Sequence, residues 1–338
     1  MRLDCYGLHW PKNIFPPRKS FAATIFLPQP VLAKRADAPI IPSAMFTGAY
    51  TAIVTPFTKA GKVDEARLRD LVEFQIAGGV DGLVPCGTTG ESPTLDYAEH
   101  DRVVEVVVAA AAKRCLVIAG TGSNCTAEAI ALTKHAKAAG ADASLQVAPY
   151  YNKPTQAGLY AHFRAIAEAA ELPMILYNIP GRCGVDVANE TTARLRRDLP
   201  TRVVGLKEAT GNVDRVSQLR ALVDAEFAIL SGDDSLTLPM MSVGAVGVIS
   251  VASNIVPREV SDLAHAAQRG DFAAAGRIHA RLLPLFKDLF IETNPIPIKA
   301  SLAMAGRIEE TYRLPLVPMA ESTKAQLRKT LVALGLVK

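Results

Sequence analysis

The stretch VVGLKEATGN (203–212) places a lysine at the end of an apolar run. If the run is a strand, Lys207 and Gly205 point to one face and Leu206 and Glu208 to the other, so the adjacent glutamate is poorly placed as the lysine's partner. A lysine in such a position can snorkel to solvent. Held instead in a dry enclosure it favours the neutral amine, with its pKa falling from ~10.4 towards ~7–8. A neutral amine attacks ketones and aldehydes to form an imine, and the positive imine nitrogen is an electron sink for carbon–carbon bond chemistry.

That chemistry needs a proton carrier and a grip on an anionic substrate. Tyr177, in MILYN (174–178), offers a phenol that can shuttle protons, although a tyrosine at a strand end can equally be packing with a wet hydroxyl. Thr88 and Thr89 stand between glycines in GTTGES (87–92), where backbone N–H groups and hydroxyls can converge on a carboxylate. The same motif also reads as a tight turn capping the next helix, and it lacks the lysine and spacing of a phosphate-binding P-loop. Arg182, in NIPGRCG (178–184), carries a planar fork suited to a second carboxylate, though exposed loop arginines are common.

What could bring these groups together is a repeating alternation. Eight short apolar or β-branched runs recur: 50–56, 82–85, 115–120, 143–149, 174–178, 203–207, 227–232 and 246–251. Between them lie stretches of helical spacing, such as Leu68, Leu71, Val72 and Ile76, or Ala129, Leu132, Ala136 and Ala139, each closed by glycine or proline. Near-continuous apolar strands separated by helices imply a parallel sheet covered on both faces. We expect an α/β protein, a (β/α)8 TIM barrel over 45–270 with a small helical domain over 271–338; an open doubly wound sheet is the alternative. In a barrel the chemistry sits at the C-terminal ends of the strands, where all of the groups above fall.

Composition narrows the class. At 338 residues and 49% apolar content, the chain can bury a sizeable core. Its formal charge of +4 is accounted for by six Lys/Arg against Asp4 and Asp37 within 1–44, so the rest is neutral and no basic stripe suggests a nucleic-acid partner. The five cysteines are scattered and never spaced C-x-x-C, which suggests neither a disulfide framework nor a zinc knuckle and fits a reducing, cytoplasmic compartment. No H-E-x-x-H and no apolar stretch of ~18 residues points to a metal or a membrane span. Residues 1–44 are proline-rich, basic and faintly like a signal peptide; we read them as an extension upstream of a natural start at Met45, with a targeting peptide or an ordered arm as alternatives.

Taken in order, GTTGES, PYYNKPTQAGLYAHF, ILYNIPGR, GLKEATGN and LSGDD resemble the dihydrodipicolinate synthase family, from MFTGAYTAIVTPF at Met45 to YRLPLVP near residue 318. The resemblance implies that Lys207 is a Schiff-base lysine condensing with pyruvate, and that the derived enamine attacks the aldehyde of L-aspartate 4-semialdehyde, the first committed step of diaminopimelate and lysine biosynthesis. It implies a proton relay of Tyr177, Thr88 and Tyr151, with Tyr151 supplied by a neighbouring subunit of a homo-oligomer built as a dimer of dimers. Thr89 corresponds to a pyruvate-carboxylate contact, Arg182 to the residue that engages the semialdehyde carboxylate, and Gly232 and Ile249 to pocket-lining positions. No cofactor is implied.

Related N-acetylneuraminate lyases and sugar-acid aldolases share the lysine and tyrosine; Arg182 and the paired threonines favour the synthase, and a keto-acid sensor without turnover is the non-enzymatic alternative. Members inhibited by L-lysine are similar to this chain at Ser92, His100, Asn124, Glu128 and Tyr150, which implies a regulatory site at a subunit interface. Tyr97 belongs to that set but stands where some inhibited relatives carry histidine, and Pro93 where alanine is common. Cys183 replaces a hydroxyl residue often found after the arginine.

Overall fold

The computed structural model describes residues 45–338, and the expectations for 1–44 lie outside the described residues. Eight parallel strands close into a barrel in chain order, β1 (Gly48–Thr51), β2 (Gly82–Leu83), β3 (Leu116–Gly120), β4 (Ala143–Val147), β5 (Met174–Asn178), β6 (Val203–Glu208), β7 (Ala228–Ser231) and β8 (Gly247–Ser250). β8 pairs back onto β1 with Tyr50 opposite Ile249, which excludes the open sheet.

Side-chain alternation sorts each strand between two environments. Ile175 and Tyr177 of β5, Leu230 of β7 and Ile249 of β8 join Tyr50, Val84, Ile118 and Leu145 in the barrel interior. Met174, Leu176, Leu206 and Ile229 point the other way, into the layer beneath the helices. The interior is thus a packed plug, with the candidate chemistry at its C-terminal mouth.

The helices cover the outside. Between the strands run α1 (Glu65–Ala77), α2 (Tyr97–Ala111), α3 (Thr126–Ala139) and α4 (Gln156–Ala170), then the single turn α5 (Pro180–Cys183) followed by α6 (Asn189–Asp198). After β6 come α7 (Val213–Arg220), α8 (Thr237–Ser242) and α9 (Pro257–Gln268). Asp96 caps α2 in a reciprocal capping box with Glu99, fixing where the GTTGES turn gives way to helix. The C-terminal helices are α10 (Phe272–Asp288), α11 (Ile296–Met304) and α12 (Glu321–Ala333); α10 packs on α9 and α12, and α11 on α12. α11 starts within the NPIPIK segment (294–299), because prolines fit a helix's first turn, where no N–H is needed.

Strand boundaries differ from the apolar runs in one instructive place. The run 50–56 becomes strand only to Thr51. Beyond it Ala52 N and Ile53 N still donate to Ser250 O and Val84 O, and the Asn254 side chain takes over the remaining groups, accepting from Val54 N at 3.1 Å and donating to Ala52 O at 2.8 Å. Among the described residues no helix is long and apolar enough to cross a membrane.

Candidate active site

Lys207 is the penultimate residue of β6 and Tyr177 the penultimate residue of β5, and the two are Cα partners across the ladder. The lysine Nζ lies 4.3 Å from the centroid of the tyrosine ring, and each residue is about 5% exposed, at 6% and 5%. Burial is the main force on both. It pulls the Lys207 ammonium down to about 7, with the positive charge of Arg182 adding to the fall and Asp234 opposing it. Asp234 does not neutralise the lysine by direct pairing, because its carboxylate is committed to the Ser250 hydroxyl and to the N–H groups of Val251 and Ala252. Burial also lifts the Tyr177 phenol to about 12, with Arg182 and the Thr88 hydroxyl pulling the other way. The pair therefore holds a substantially neutral amine beside a protonated phenol near pH 7.

Glu208, next in sequence, faces the outer layer as alternation requires. It is buried and accepts from Arg215 Nε at 3.3 Å and from Thr210 N at 2.8 Å. Gly232, after β7, leaves the space that the lysine side chain occupies. A Cβ there would stand 3.0 Å from Lys207 Cε and 2.7 Å from the Ala209 Cβ.

The threonines come from the turn after β2. Thr89 is buried and its hydroxyl accepts from Asn294 Nδ2 at 3.0 Å, whereas Thr88 is half-buried and lines the cavity with Tyr177. Thr55 Oγ1 donates to Gly90 O at 2.6 Å, and Glu91, in the left-handed region at φ 53°, forms a fully buried ion pair with Lys299 of α11. Burial pulls the Lys299 ammonium down while Glu91 holds it up. Arg182, on α5, is exposed; its Nη2 donates to Asn294 O at 3.2 Å, and the residue lines a cavity with Thr88 and Tyr177.

These groups surround a small cavity of about 40 Å³ lined by Lys207, Tyr177, Thr88, Thr89, Arg182, Gly232 and Asn294. It adjoins a cleft of about 620 Å³ that also has Thr88, Tyr177 and Arg182 in its wall. A buried amine, a phenol, paired hydroxyls and a guanidinium converging on one space can form an imine, move a proton and hold carboxylates. Ile249 sits fully buried in the barrel interior with Tyr177, and Val251, two residues on, is the β8-side residue that lines the cavity. Tyr151 lies apart from this cavity. It is 89% exposed with φ 70°, a left-handed conformation costly for a tyrosine.

The larger cleft collects most of the second set. Ser92, Pro93, Tyr97, His100, Glu128, Tyr150 and Cys183 line it. Glu128 accepts from Ser123 Oγ at 2.6 Å and pushes the Tyr97 phenol up by hydrogen bonding to it. His100 is buried, and that burial pulls its imidazole below the usual histidine range while the Gly120 carbonyl and the Asp101 carboxylate pull it back up. Its Nε2 donates to Gly120 O at 2.8 Å, and its Nδ1 faces Asp101 Oδ1 at 3.7 Å. Asn124 stands outside the lining and donates to Tyr150 O at 3.2 Å. Sequence reading missed Asn294, Glu91, Lys299 and Asp234. The signal available for two of them was an asparagine and a lysine inside the otherwise apolar NPIPIK segment.

Comparison with known proteins gives one consistent answer. The profile of the dihydrodipicolinate synthetase family matches residues 45–334. A 4-hydroxy-tetrahydrodipicolinate synthase of Nitratidesulfovibrio vulgaris (strain DP4) is 53% identical over 292 residues, 86% of this chain and 99% of that protein. The crystal structure of dihydrodipicolinate synthase from Aquifex aeolicus superposes with a TM-score of 0.85 at 50% identity, covering 86% of this chain and 99% of the other. The DHDPS of Cyanidioschyzon merolae, solved with lysine bound, is 45% identical with a TM-score of 0.84 over 86% of this chain and 99% of its own.

Proposed function

We propose, from the premise that this chain belongs to the dihydrodipicolinate synthetase family, a residue-level account of the family's reaction. The chain is a lyase that condenses pyruvate with L-aspartate 4-semialdehyde to 4-hydroxy-tetrahydrodipicolinate, the first committed step of diaminopimelate and lysine biosynthesis. The neutral Lys207 amine adds to the pyruvate ketone, and loss of water leaves a protonated imine. A methyl proton departs to give the enamine, whose carbon attacks the semialdehyde aldehyde while the aldehyde oxygen takes up a proton. The amino group of the semialdehyde then adds to the imine carbon and displaces Lys207, which closes the ring and restores the free amine.

Tyr177, hydrogen-bonded through Thr88 to Tyr151 of a neighbouring subunit, carries the protons; its protonated phenol is matched to donating first and recovering later. Thr89 holds the pyruvate carboxylate and Arg182 the semialdehyde carboxylate, in a pocket closed by Gly232 and, deeper, Ile249. The observation that carries this reading is the buried Lys207 amine, lowered to about 7 and registered against Tyr177. Residues 45–270 form the catalytic barrel in this account and 271–338 a helical domain that buttresses it.

Tyr151 is nearly fully exposed in a strained backbone conformation, which supports a role completed only when it enters another subunit's site, hence a homo-oligomer arranged as a dimer of dimers. The cleft holding Ser92, Tyr97, His100, Glu128 and Tyr150, with Asn124 at its edge, suits L-lysine: the Glu128 carboxylate in its wall can accept from an ammonium group. We place the enzyme in the cytoplasm. A coupled assay with both substrates, with and without L-lysine, tests the reading; no turnover would overturn the reaction, and undiminished turnover at saturating L-lysine would overturn the regulatory site.

A further inference from the structure

Asn294 touches the site at three points, and its side chain has a polarity that the catalytic account leaves unused. Its Nδ2 donates to Thr89 Oγ1 at 3.0 Å, its main-chain carbonyl accepts from Arg182 Nη2 at 3.2 Å, and it lines the same cavity as Lys207. The residue is 5% exposed and Thr89 3%. A threonine hydroxyl has one proton to give. Because Asn294 fills an acceptor position on Thr89 Oγ1, that proton is left for another partner, and Thr89 donates to no other group among the described residues. Asn294 Oδ1 is buried without a partner, so the amide is held in place by its donor end rather than by its acceptor end.

We infer that Asn294 is a positioning residue for the keto acid: its amide turns the Thr89 hydroxyl so that the O–H points into the cavity and donates to the pyruvate carboxylate. The inference rests on the proposed function, in which Thr89 meets that carboxylate. Three neighbours fix the geometry. Thr55 holds Gly90, Lys299 holds Glu91, and Asn294 holds Thr89, so the turn has little freedom beyond the torsion of the hydroxyl itself. Arg182 is tied to the Asn294 main chain, so a change of side chain at 294 leaves that bond in place and separates the two carboxylate grips.

The test measures borohydride trapping on Lys207 against pyruvate concentration, together with steady-state constants for both substrates. In Asn294→Asp the carboxylate accepts the Thr89 proton and repels the keto acid. Half-saturation by pyruvate is expected to rise by about 10- to 100-fold, the range for losing a hydrogen bond to a charged group, while the semialdehyde KM changes much less. Asn294→Ala should weaken pyruvate less than Asn294→Asp does, and Thr89→Val/Asn294→Ala should be no worse than Thr89→Val alone, since Asn294 acts through Thr89. Unchanged half-saturation in Asn294→Asp would overturn the inference, as would additive losses in the double variant. If Asn294→Asp fails to fold, the Thr89→Val comparison with the double variant decides alone. Absence of trapping in the unsubstituted chain would overturn both this inference and the function it rests on, whereas trapping with normal pyruvate dependence in the variants would overturn the inference only.

Discussion

Lys207 and Tyr177 occupy matching positions on adjacent strands, with the lysine nitrogen 4.3 Å from the tyrosine ring centroid. Burial acts on them in opposite directions, removing a proton from the amine and keeping one on the phenol. One dry enclosure thus supplies both a nucleophile and an acid.

Arg182 is expected to have two separable effects. Arg182→Ala should raise the semialdehyde KM by about 10- to 100-fold while leaving imine formation with pyruvate largely intact. Since the positive charge of Arg182 helps to lower Lys207, its removal should also move the pH profile of imine formation to higher pH. Equal damage to trapping and to semialdehyde use would contradict the assignment.

Gly232→Ala places a methyl group 3.0 Å from Lys207 Cε and 2.7 Å from the Ala209 Cβ. Overpacking of that kind costs about 1–3 kcal/mol, and we expect much of it to appear as displacement of the lysine. Single-turnover trapping should slow about tenfold or more, a loss of about 1.4 kcal/mol in the transition state. A variant that traps at the normal rate would show that the lysine does not need this space.

The Glu91–Lys299 pair is fully buried and joins the GTTGES turn to α11. Lys299→Met leaves a carboxylate buried without its partner, and thermal or urea denaturation should register a loss of about 3–5 kcal/mol. Glu91→Gln combined with Lys299→Met should recover a large part of it. If the single and double variants are equally destabilised, charge pairing is not what holds the turn.

The role proposed for Tyr151 across a subunit boundary predicts a complementation result. Neither Lys207→Ala nor Tyr151→Phe should turn over well alone, but co-refolded mixtures should recover up to about a quarter of wild-type activity, because half the dimers are hybrids with one complete site. Mixtures no better than their components would place Tyr151 outside the relay.

Much of the barrel was legible because its strands are buried on both sides and read as continuous apolar runs, with Lys207, Tyr177 and Thr88 at their ends. Their local sequence carries the alternation that separates Lys207 from Glu208. What was not legible depends on residues far apart in the chain. Lys299 lies 208 positions from Glu91 and Asn294 lies 205 from Thr89, and although both stand out in the NPIPIK segment, no local pattern identifies their partners. The end of β1 has the same origin, since the Ala52 carbonyl is taken by the Asn254 side chain from 202 residues away. The NIPGRCG segment read as loop because proline and glycine punctuate it, yet Pro180 starts a single helical turn that carries Arg182.

The most direct measurement is mass spectrometry of the Lys207 peptide after borohydride trapping with pyruvate, followed as a function of pH. The amine account predicts a stable adduct on Lys207, with a trapping rate that climbs about tenfold per pH unit below neutrality and levels off above about 7, where the amine is already unprotonated. An adduct on another lysine, no adduct, or a rate still climbing towards pH 10 would contradict it.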